Sequence, residues 1–278
     1  MPHTNKNIDR QINLVLQQMK GIEDRSLSEF LALVNRLREE VILVIVQSGE
    51  IDGFSVSQIK GRLVSVLDAY QTKFRDLMTE NQRSLFVKGI QVVDNAIESA
   101  NLLKAVPYLS ENTLDAARTY SAGLIKNLTV DGLQKITSQL DLAVLGQKPA
   151  HEVIKEIGTN LKDPSVFGTI RRRAELIFRT EVNRINQMAT FERMKQIAKS
   201  IPGLKKEWVH SHVGFPRAGH LALHGMVIGA EDMFTLNGDK GTYEIFGPYD
   251  PLLPVGETIN CRCKIIPVIE QLQKKKAA

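Results

Sequence analysis

The sequence predicts an α+β protein with a mostly α-helical N-terminal domain and a small mixed α/β C-terminal domain. Two observations support this prediction. Apolar residues recur every three or four positions up to about residue 200, whereas the chain beyond residue 202 consists of short β-rich segments separated by Gly and Pro. We place the boundary near residue 160, which predicts domains at 1–160 and 161–278.

The first two predicted helices lie between the N-terminus and residue 49. Apolar residues from Ile8 onward form one stripe, and Gly21 is expected to end that helix. The segment 26–29 has the spacing of a capping box, in which Ser26 and Glu29 each satisfy a backbone N–H at a helix start. A second, longer helix is therefore expected to run from there to Gly49.

The remaining elements follow from the same periodicities. Further helices are predicted at 55–103 with a break near Gly89, at 110–124 from a Ser110 cap, at 129–146, at 149–157 and at 166–200. Short strands are predicted at 205–209, 233–236, 243–246 and 263–268. Short loops between amphipathic helices indicate antiparallel packing in the first half of the chain.

Composition and charge narrow the classes of protein. No apolar run approaches the roughly 20 residues of a membrane span, and the first residues lack the apolar core of a secretory signal, so we expect a cytoplasmic product. The net charge is −1 up to residue 160 and +6 from residue 161 onward. This basic excess favours contact with a polyanion. The candidate anion contacts are Arg171, Arg172, Arg173, Lys205, Lys206, Lys274, Lys275 and Lys276.

Residues with metal-ligand and acid-base chemistry are concentrated between Trp208 and Cys263. This stretch holds the only Trp, both Cys and four of the six His. His220, His224, Cys261 and Cys263 form a legitimate tetrahedral zinc set, although structural zinc sites usually have two or more residues between their Cys ligands. Alternatively, the two thiols pack inward as small apolar groups.

Three other interpretations of this stretch remain open. A nucleophilic Cys activated by His is one, although no third, orienting residue stands at a recognisable spacing. A metal-dependent nuclease is another, built from His210, His212, His220 and His224. The third is an internal network of ion pairs and hydrogen bonds, formed by Arg179, Glu181, Arg217 and His220.

The order of several short motifs resembles the tailed-phage head morphogenesis family, the Mu F-like minor capsid proteins. The resemblance covers roughly residues 140–268, and its ordered set is specific although each motif alone is weak. The matching residues are Arg179, Thr180, Glu181, Trp208, Arg217, His220, Gly225, Phe234, Gly247, Pro248, Asn260, Cys261, Arg262 and Cys263. The chain departs from the family at His212 and His224, where an Asp is frequent.

The resemblance implies a low-copy structural protein of the virion and no enzymatic activity. Such a protein would join the prohead through the portal protein, beside other capsid or scaffolding proteins, and would lie in the capsid interior near the portal. It would assist head assembly, DNA packaging or DNA ejection, passing through the host cytoplasm during assembly. Packaged double-stranded DNA would be bound through phosphates without base readout. No cofactor is implied, zinc in the His/Cys cluster excepted.

The competing class is a zinc-dependent hydrolase or nuclease, or a toxin-like effector that uses the His/Cys cluster. Mu F-like domains also occur as delivery modules of toxin-like polyproteins, and here little sequence follows Cys263 to hold an appended catalytic domain. We expect the ten residues 179–181, 208, 217, 220, 225, 260, 261 and 263 to fix the C-terminal fold. On this basis Arg217→Ala should destabilise that domain by about 3 kcal/mol.

Overall fold

The computed structural model describes residues 6–48, 51–102, 111–146, 150–158, 162, 165–211 and 217–269. The helices are α1 Lys6–Gln47, α2 Gly53–Ser99, α3 Asn112–Val144, α4 Ala150–Ile157, α5 Val166–Ala198, α6 Ala218–Ala222 and α7 Val255–Thr258. The strands are β1 Leu204–Val209, β2 Val227–Gly229, β3 Phe234–Gly238, β4 Gly241–Ile245 and β5 Lys264–Ile269. The predicted α+β class, helical first and then mixed, is confirmed.

The described residues divide into two compact units, each assembled from segments that are distant in sequence. The first comprises Met1–Glu23, Asn81–Ala117 and Thr180–Ala278, and the second comprises Asp24–Glu80 and Arg118–Arg179. Long helices therefore contribute residues to both units. The predicted domains, 1–160 and 161–278, stay a prediction.

The first unit contains the strands. β1 is the middle strand of a three-stranded antiparallel sheet in the order β2-β1-β5, and Trp208 of β1 pairs with Ile265 of β5. β3 and β4 form a separate antiparallel hairpin, closed by the pair Gly238 and Gly241. Because β1 is buried on one face only, its exposure alternates residue by residue, as expected for a strand covered on one side.

The second unit is held by an aromatic core. The ring of Phe30 packs against Phe74 at 4.9 Å and against Phe178 at 5.3 Å between centroids, and all three side chains are fully buried. Tyr70 extends this cluster, and its hydroxyl donates a hydrogen bond of 2.6 Å to Glu40. The helical periodicity of the sequence thus places these aromatic rings on the buried faces of α1, α2 and α5.

Two predicted helix boundaries are wrong, because α1 and α3 are each continuous. Gly21 lies inside α1 on an exposed face, and a single glycine costs a helix only about 1 kcal/mol. Thr129 does not cap a new helix: its hydroxyl donates to the carbonyl of Lys126 within α3. The predicted stop at Gly146 is confirmed by its positive φ of 72° just past α3. The Ser110 cap lies outside the described residues.

Gly89 was expected to break the second long helix, but α2 runs through it. In the first unit α5 crosses α2 at this point, and a Cβ on Gly89 would lie 2.5 Å from the backbone oxygen of Asn186 and 2.9 Å from the Cβ of Ala189. Asn186 Nδ2 donates to Leu85 O, and Thr190 Oγ1 donates to Gly89 O. This glycine therefore permits a close helix crossing.

Gly89→Ala is expected to destabilise the protein by about 2 kcal/mol or more, since the backbone oxygen of Asn186 cannot yield to an added methyl group. Gly21→Ala is the matched control, because its Cβ meets nothing within 4 Å and alanine favours a helix by about 1 kcal/mol. Denaturant unfolding followed by circular dichroism measures both. Equal effects of the two substitutions would contradict the close crossing.

Candidate functional site

His220 occupies the centre of a buried polar cluster in the first unit. It lies in the short helix α6 and is 2% exposed. The ring of Trp208 meets the imidazole edge-on at 5.6 Å between centroids, which keeps water from this side. Gly225 lies in the turn that follows, with a φ of 79°, and its N–H donates to Trp208 O at 2.9 Å. These motif residues therefore position the imidazole against β1.

The carboxylate of Glu257 accepts hydrogen bonds on both of its oxygens. Its Oε2 lies 3.0 Å from His220 Nε2, and its Oε1 accepts the backbone N–H of Asp239 at 3.1 Å. Arg217 Nε lies 3.8 Å from Oε2, and Arg217 Nη2 donates to Ile259 O at 2.8 Å. Since a carboxylate only accepts hydrogen bonds, it selects the His220 tautomer protonated on Nε2. The lone pair of Nδ1 then faces the opposite way.

Both thiols lie where that lone pair points. Cys261 Sγ and Cys263 Sγ are 3.5 Å and 3.6 Å from His220 Nδ1, and each cysteine is a buried free thiol. Asn260 precedes them in the left-handed region, with a φ of 53°, which Asn tolerates better than most residues. Its N–H donates to Thr180 Oγ1 at 3.0 Å. Hence the turn at Asn260 aims the two thiols at the imidazole.

The two thiols differ in their electrostatics. The hydrogen bond from Cys263 holds the pKa of Cys261 well below its usual range, despite burial. The same hydrogen bond together with burial raises the pKa of Cys263. The two thiols are thus unequal, because Cys263 donates a hydrogen bond that Cys261 accepts.

The cluster combines two kinds of chemistry. His220, Cys261 and Cys263 each offer a ligand atom, with these atoms within 4.8 Å of one another, so they are suited to a thiophilic metal ion. Glu257, His220 and Cys261 also have the arrangement of a catalytic triad, in which a carboxylate orients an imidazole base beside a thiol nucleophile. All of these side chains are nearly inaccessible to solvent. A substrate therefore has no access to the sulfur in this arrangement.

The structure does not bring His224 into this cluster. Its Nδ1 instead accepts the backbone N–H of His210 at 3.2 Å. The proposed zinc set of four residues is therefore corrected to three. The alternative nuclease set required His210, His220 and His224 around one ion together with His212, which lies outside the described residues. His220 is committed to Glu257 and the thiols, so the described part of that set is not assembled.

The structure does not join Arg179, Glu181, Arg217 and His220 in the single network that was expected. Arg179 Nε pairs with Glu175 at 3.1 Å along α5, and the buried Glu181 pairs with Arg184 at 3.3 Å. Arg217 and His220 instead meet at Glu257. Among the remaining motif residues, Thr180 is bonded to Asn260, Gly225 is bonded to Trp208, and Cys261 and Cys263 face His220. Their role in fixing the fold stays a prediction.

The candidate anion contacts fall into several environments. In the second unit, Arg172 is exposed, whereas Arg171 lies 3.9 Å from Glu175 and Arg173 pairs with Asp131. In the first unit, Lys205 is half-buried on β1. Lys274, Lys275 and Lys276 lie outside the described residues.

Lys206 was predicted to contact an anion, and this is wrong. Its side chain is fully buried, and its Nζ lies 4.9 Å, 5.4 Å and 5.5 Å from the ring centroids of Phe191, Phe234 and Phe246. The ammonium has no hydrogen-bond acceptor among the described residues. Burial lowers its pKa to about 8, although Asp232 and Asp250 oppose this shift. Lys206 is therefore enclosed by aromatic faces and unavailable to DNA.

Sequence reasoning missed Glu257, which joins Arg217, His220 and a backbone N–H. Nothing in its local sequence marks it, because a Glu in a short turn is ordinarily solvated. One signal could have found it. A buried His that faces two Cys needs an acceptor on its other nitrogen, and Glu257 is the acidic residue nearest to those Cys in the sequence.

Comparison with known proteins agrees with the motif order. Residues 134–266 match the family model described as Phage Mu protein F like protein. This part of the chain is similar to the Mu F-like family. The predicted resemblance, placed at residues 140–268, is thus confirmed.

A relative extends the similarity beyond the Mu F-like region. The chain is 27% identical over 205 residues to the uncharacterized protein YqbB of Bacillus subtilis (strain 168), an alignment that covers 73% of this chain. The chain spans 63% of the length of that relative. No solved structure matches the chain. Among the described residues, no helix is both long and apolar enough to cross a membrane.

Glu257→Ala should lower the free energy of unfolding by about 3 kcal/mol, because it leaves His220 Nε2 and the N–H of Asp239 without an acceptor in a buried place. Glu244→Ala is the control, since that exposed carboxylate accepts a hydrogen bond from the hydroxyl of Thr235. Arg217→Ala should cost about 1 kcal/mol, less than the sequence alone predicted, because the side chain is 29% exposed. Denaturant titration compares the three variants. If Glu257→Ala and Glu244→Ala have equal effects, Glu257 does not hold the cluster.

Lys206→Met should change how stability depends on pH. An unfolded Lys keeps its proton up to its ordinary pKa of 10.5, whereas folded Lys206 loses it near 8. The unfolded state therefore binds more protons between these values, so the free energy of unfolding of the unsubstituted protein should rise with pH from about 8 to about 10.5. The Met variant should lack this part of the rise, which thermal unfolding at pH 7, 8, 9 and 10 measures. Lys205→Met, on the opposite face of β1, is the control and should retain it.

Proposed function

We propose that the protein is a minor head protein that enters the prohead through the portal and lies in the capsid interior. The match of residues 134–266 to the Mu F-like family carries this proposal. In this role the chain contributes to head assembly and to the packaging or ejection of DNA. Its partners are the portal protein, other capsid or scaffolding proteins, and packaged double-stranded DNA. It acts by binding and performs no reaction.

An exposed apolar surface in the second unit supports docking to another protein. Three apolar side chains near the connection from α1 to α2 are more than half exposed: Leu43 at 53%, Val46 at 57% and Phe54 at 75%. Arg62 Nη2 donates to Gln47 Oε1 at 3.0 Å and joins α2 to the last residue of α1. Leu43 and Val46 are three residues apart on α1, and Phe54 lies in the first turn of α2. Exposed apolar patches are typical of protein interfaces. We assign this surface to the portal protein.

The charge of the chain supports the contact with DNA. The excess of positive charge is confined to residues 161–278. Arg172 is exposed on α5, and Lys205 is partly exposed on β1. Such contacts bind phosphates regardless of sequence and weaken as salt rises. Contacts of this kind suit a protein that binds packaged DNA of any sequence.

The alternative function is a zinc-dependent hydrolase or nuclease, or a toxin-like effector. Its reactive groups would be His220, Cys261 and Cys263, which are 2–3% exposed. A cavity of about 350 Å³ in the first unit is lined elsewhere, by residues of α5 and of the segment 246–252 together with Ile265. A hydrolytic site needs an accessible reacting atom. The burial of the cluster therefore favours the structural role.

Particles of the phage or prophage that encodes the chain test this function. Quantitative mass spectrometry of purified particles should find the protein at low copy number, comparable with the portal protein. Protease should cleave it only after the particles are opened. Ultraviolet cross-linking of intact particles should join DNA to peptides that contain Arg172 or Lys205. Absence from particles, or cleavage in intact ones, would contradict the proposal.

Matched variants locate the portal contact within the same experiment. Replacing Leu43, Val46 and Phe54 together by Ser should reduce incorporation into particles at least tenfold. Replacing Val130 and Leu145, which are exposed apolar residues of the same unit, should leave incorporation unchanged. Equal incorporation of both variants would exclude the α1–α2 connection as the docking surface.

A further inference from the structure

The buried thiol pair and His220 stand at the separations that a shared metal ion imposes. Zinc binds thiolate sulfur at about 2.3 Å and imidazole nitrogen at about 2.0–2.1 Å in a tetrahedron, which separates the nitrogen from each sulfur by about 3.6 Å. The observed separations from His220 Nδ1 are 3.5 Å to Cys261 Sγ and 3.6 Å to Cys263 Sγ. Both nitrogen-to-sulfur separations therefore match those around a shared zinc ion.

Hydrogen bonding alone can join only one of the two sulfurs to the imidazole. With Nε2–H donated to Glu257, the imidazole has one lone pair, on Nδ1, and it accepts one S–H at a time. Two sulfurs nevertheless converge on that single lone pair from nearly equal distances. A cation placed among the three atoms uses the nitrogen lone pair and both sulfurs at once.

The surroundings of the three atoms support a metal site. A metal-binding His almost always donates its other N–H to a carboxylate or carbonyl, and Glu257 occupies that place, 3.0 Å from His220 Nε2. Glu257 is itself held by the N–H of Asp239. The backbone on the other side is fixed as well, since Tyr249 donates its hydroxyl to Cys261 O. The ligands are thus oriented before any ion arrives.

We propose that His220 Nδ1, Cys261 Sγ and Cys263 Sγ bind one zinc ion, with Glu257 as the positioning residue behind His220. Two sulfurs and one imidazole nitrogen favour zinc over magnesium or calcium, which prefer oxygen ligands. The ion joins α6 to the segment that leads into β5. It therefore acts as a cross-link of the Mu F-like region, which has no disulfide at its two cysteines.

Elemental analysis of the full-length protein tests this site. Protein purified under reducing conditions, without chelators, should contain one equivalent of zinc. Cys261→Ser, Cys263→Ser and His220→Ala should each lose at least nine-tenths of it. His224→Ala is the matched control and should keep all of it, since that ring lies outside the cluster. Glu257→Gln should retain zinc but bind it about ten- to a hundredfold more weakly.

Cobalt substitution separates metal loss from misfolding. Co²⁺ added to reduced, metal-free protein should give the strong visible bands of a tetrahedral site and a thiolate-to-cobalt band in the near ultraviolet, both saturating at one equivalent. Chelation should also lower the melting temperature of the unsubstituted protein and leave that of Cys261→Ser unchanged. Zinc that persists in the Cys variants, or cobalt spectra without a thiolate band, would overturn the proposal, as would the absence of any metal binding. The result is independent of whether the protein is found in virions.

Discussion

The buried carboxylate of Glu257 is the constraint on which the rest of the cluster depends. A carboxylate that is removed from water must be compensated by donors, and here His220, Arg217 and the N–H of Asp239 supply them. These donors come from α6, the residue before it, and the turn between β3 and β4. One side chain of α7 thus fixes the relative positions of several short elements that are too small to be stable alone. The orientation of the imidazole towards the thiols is a consequence.

Much of the fold could be predicted from the sequence because its periodicity is a local property. The helices at α4 and α5 and the strands β1, β3, β4 and β5 follow directly from apolar spacing. The errors occurred where a local signal competes with packing that the sequence does not show. Gly89 has the sequence appearance of a break, yet the close approach of Asn186 gives it a packing role. The residue that accounts for Gly89 is Asn186, which lies almost one hundred positions away in the sequence.

The cluster was only partly predictable, for a related reason. His and Cys are common metal ligands, so the sequence alone could single out His220, Cys261 and Cys263. The structure brings their ligand atoms together. His224 shared their chemistry and sequence spacing, but α6 ends at Ala222, so the assumption that both His lie on one helical face does not hold. Glu257 had neither a distinctive residue type nor a distinctive spacing. Its importance comes from the buried donors around it, which are tertiary.

Lys206 shows how two sequence signals can conflict and which of them has the stronger physical basis. Its charge favoured an anion contact, but in β1 the side chains alternate, and Lys206 shares the buried face with Leu204 and Trp208. The pattern of a one-sided strand is enforced at every residue by the pairing with β2 and β5, whereas net charge is a property of the whole surface. Periodicity therefore decides where the side chain lies. Charge then only sets the free-energy cost of that position, which the three Phe rings around the ammonium reduce.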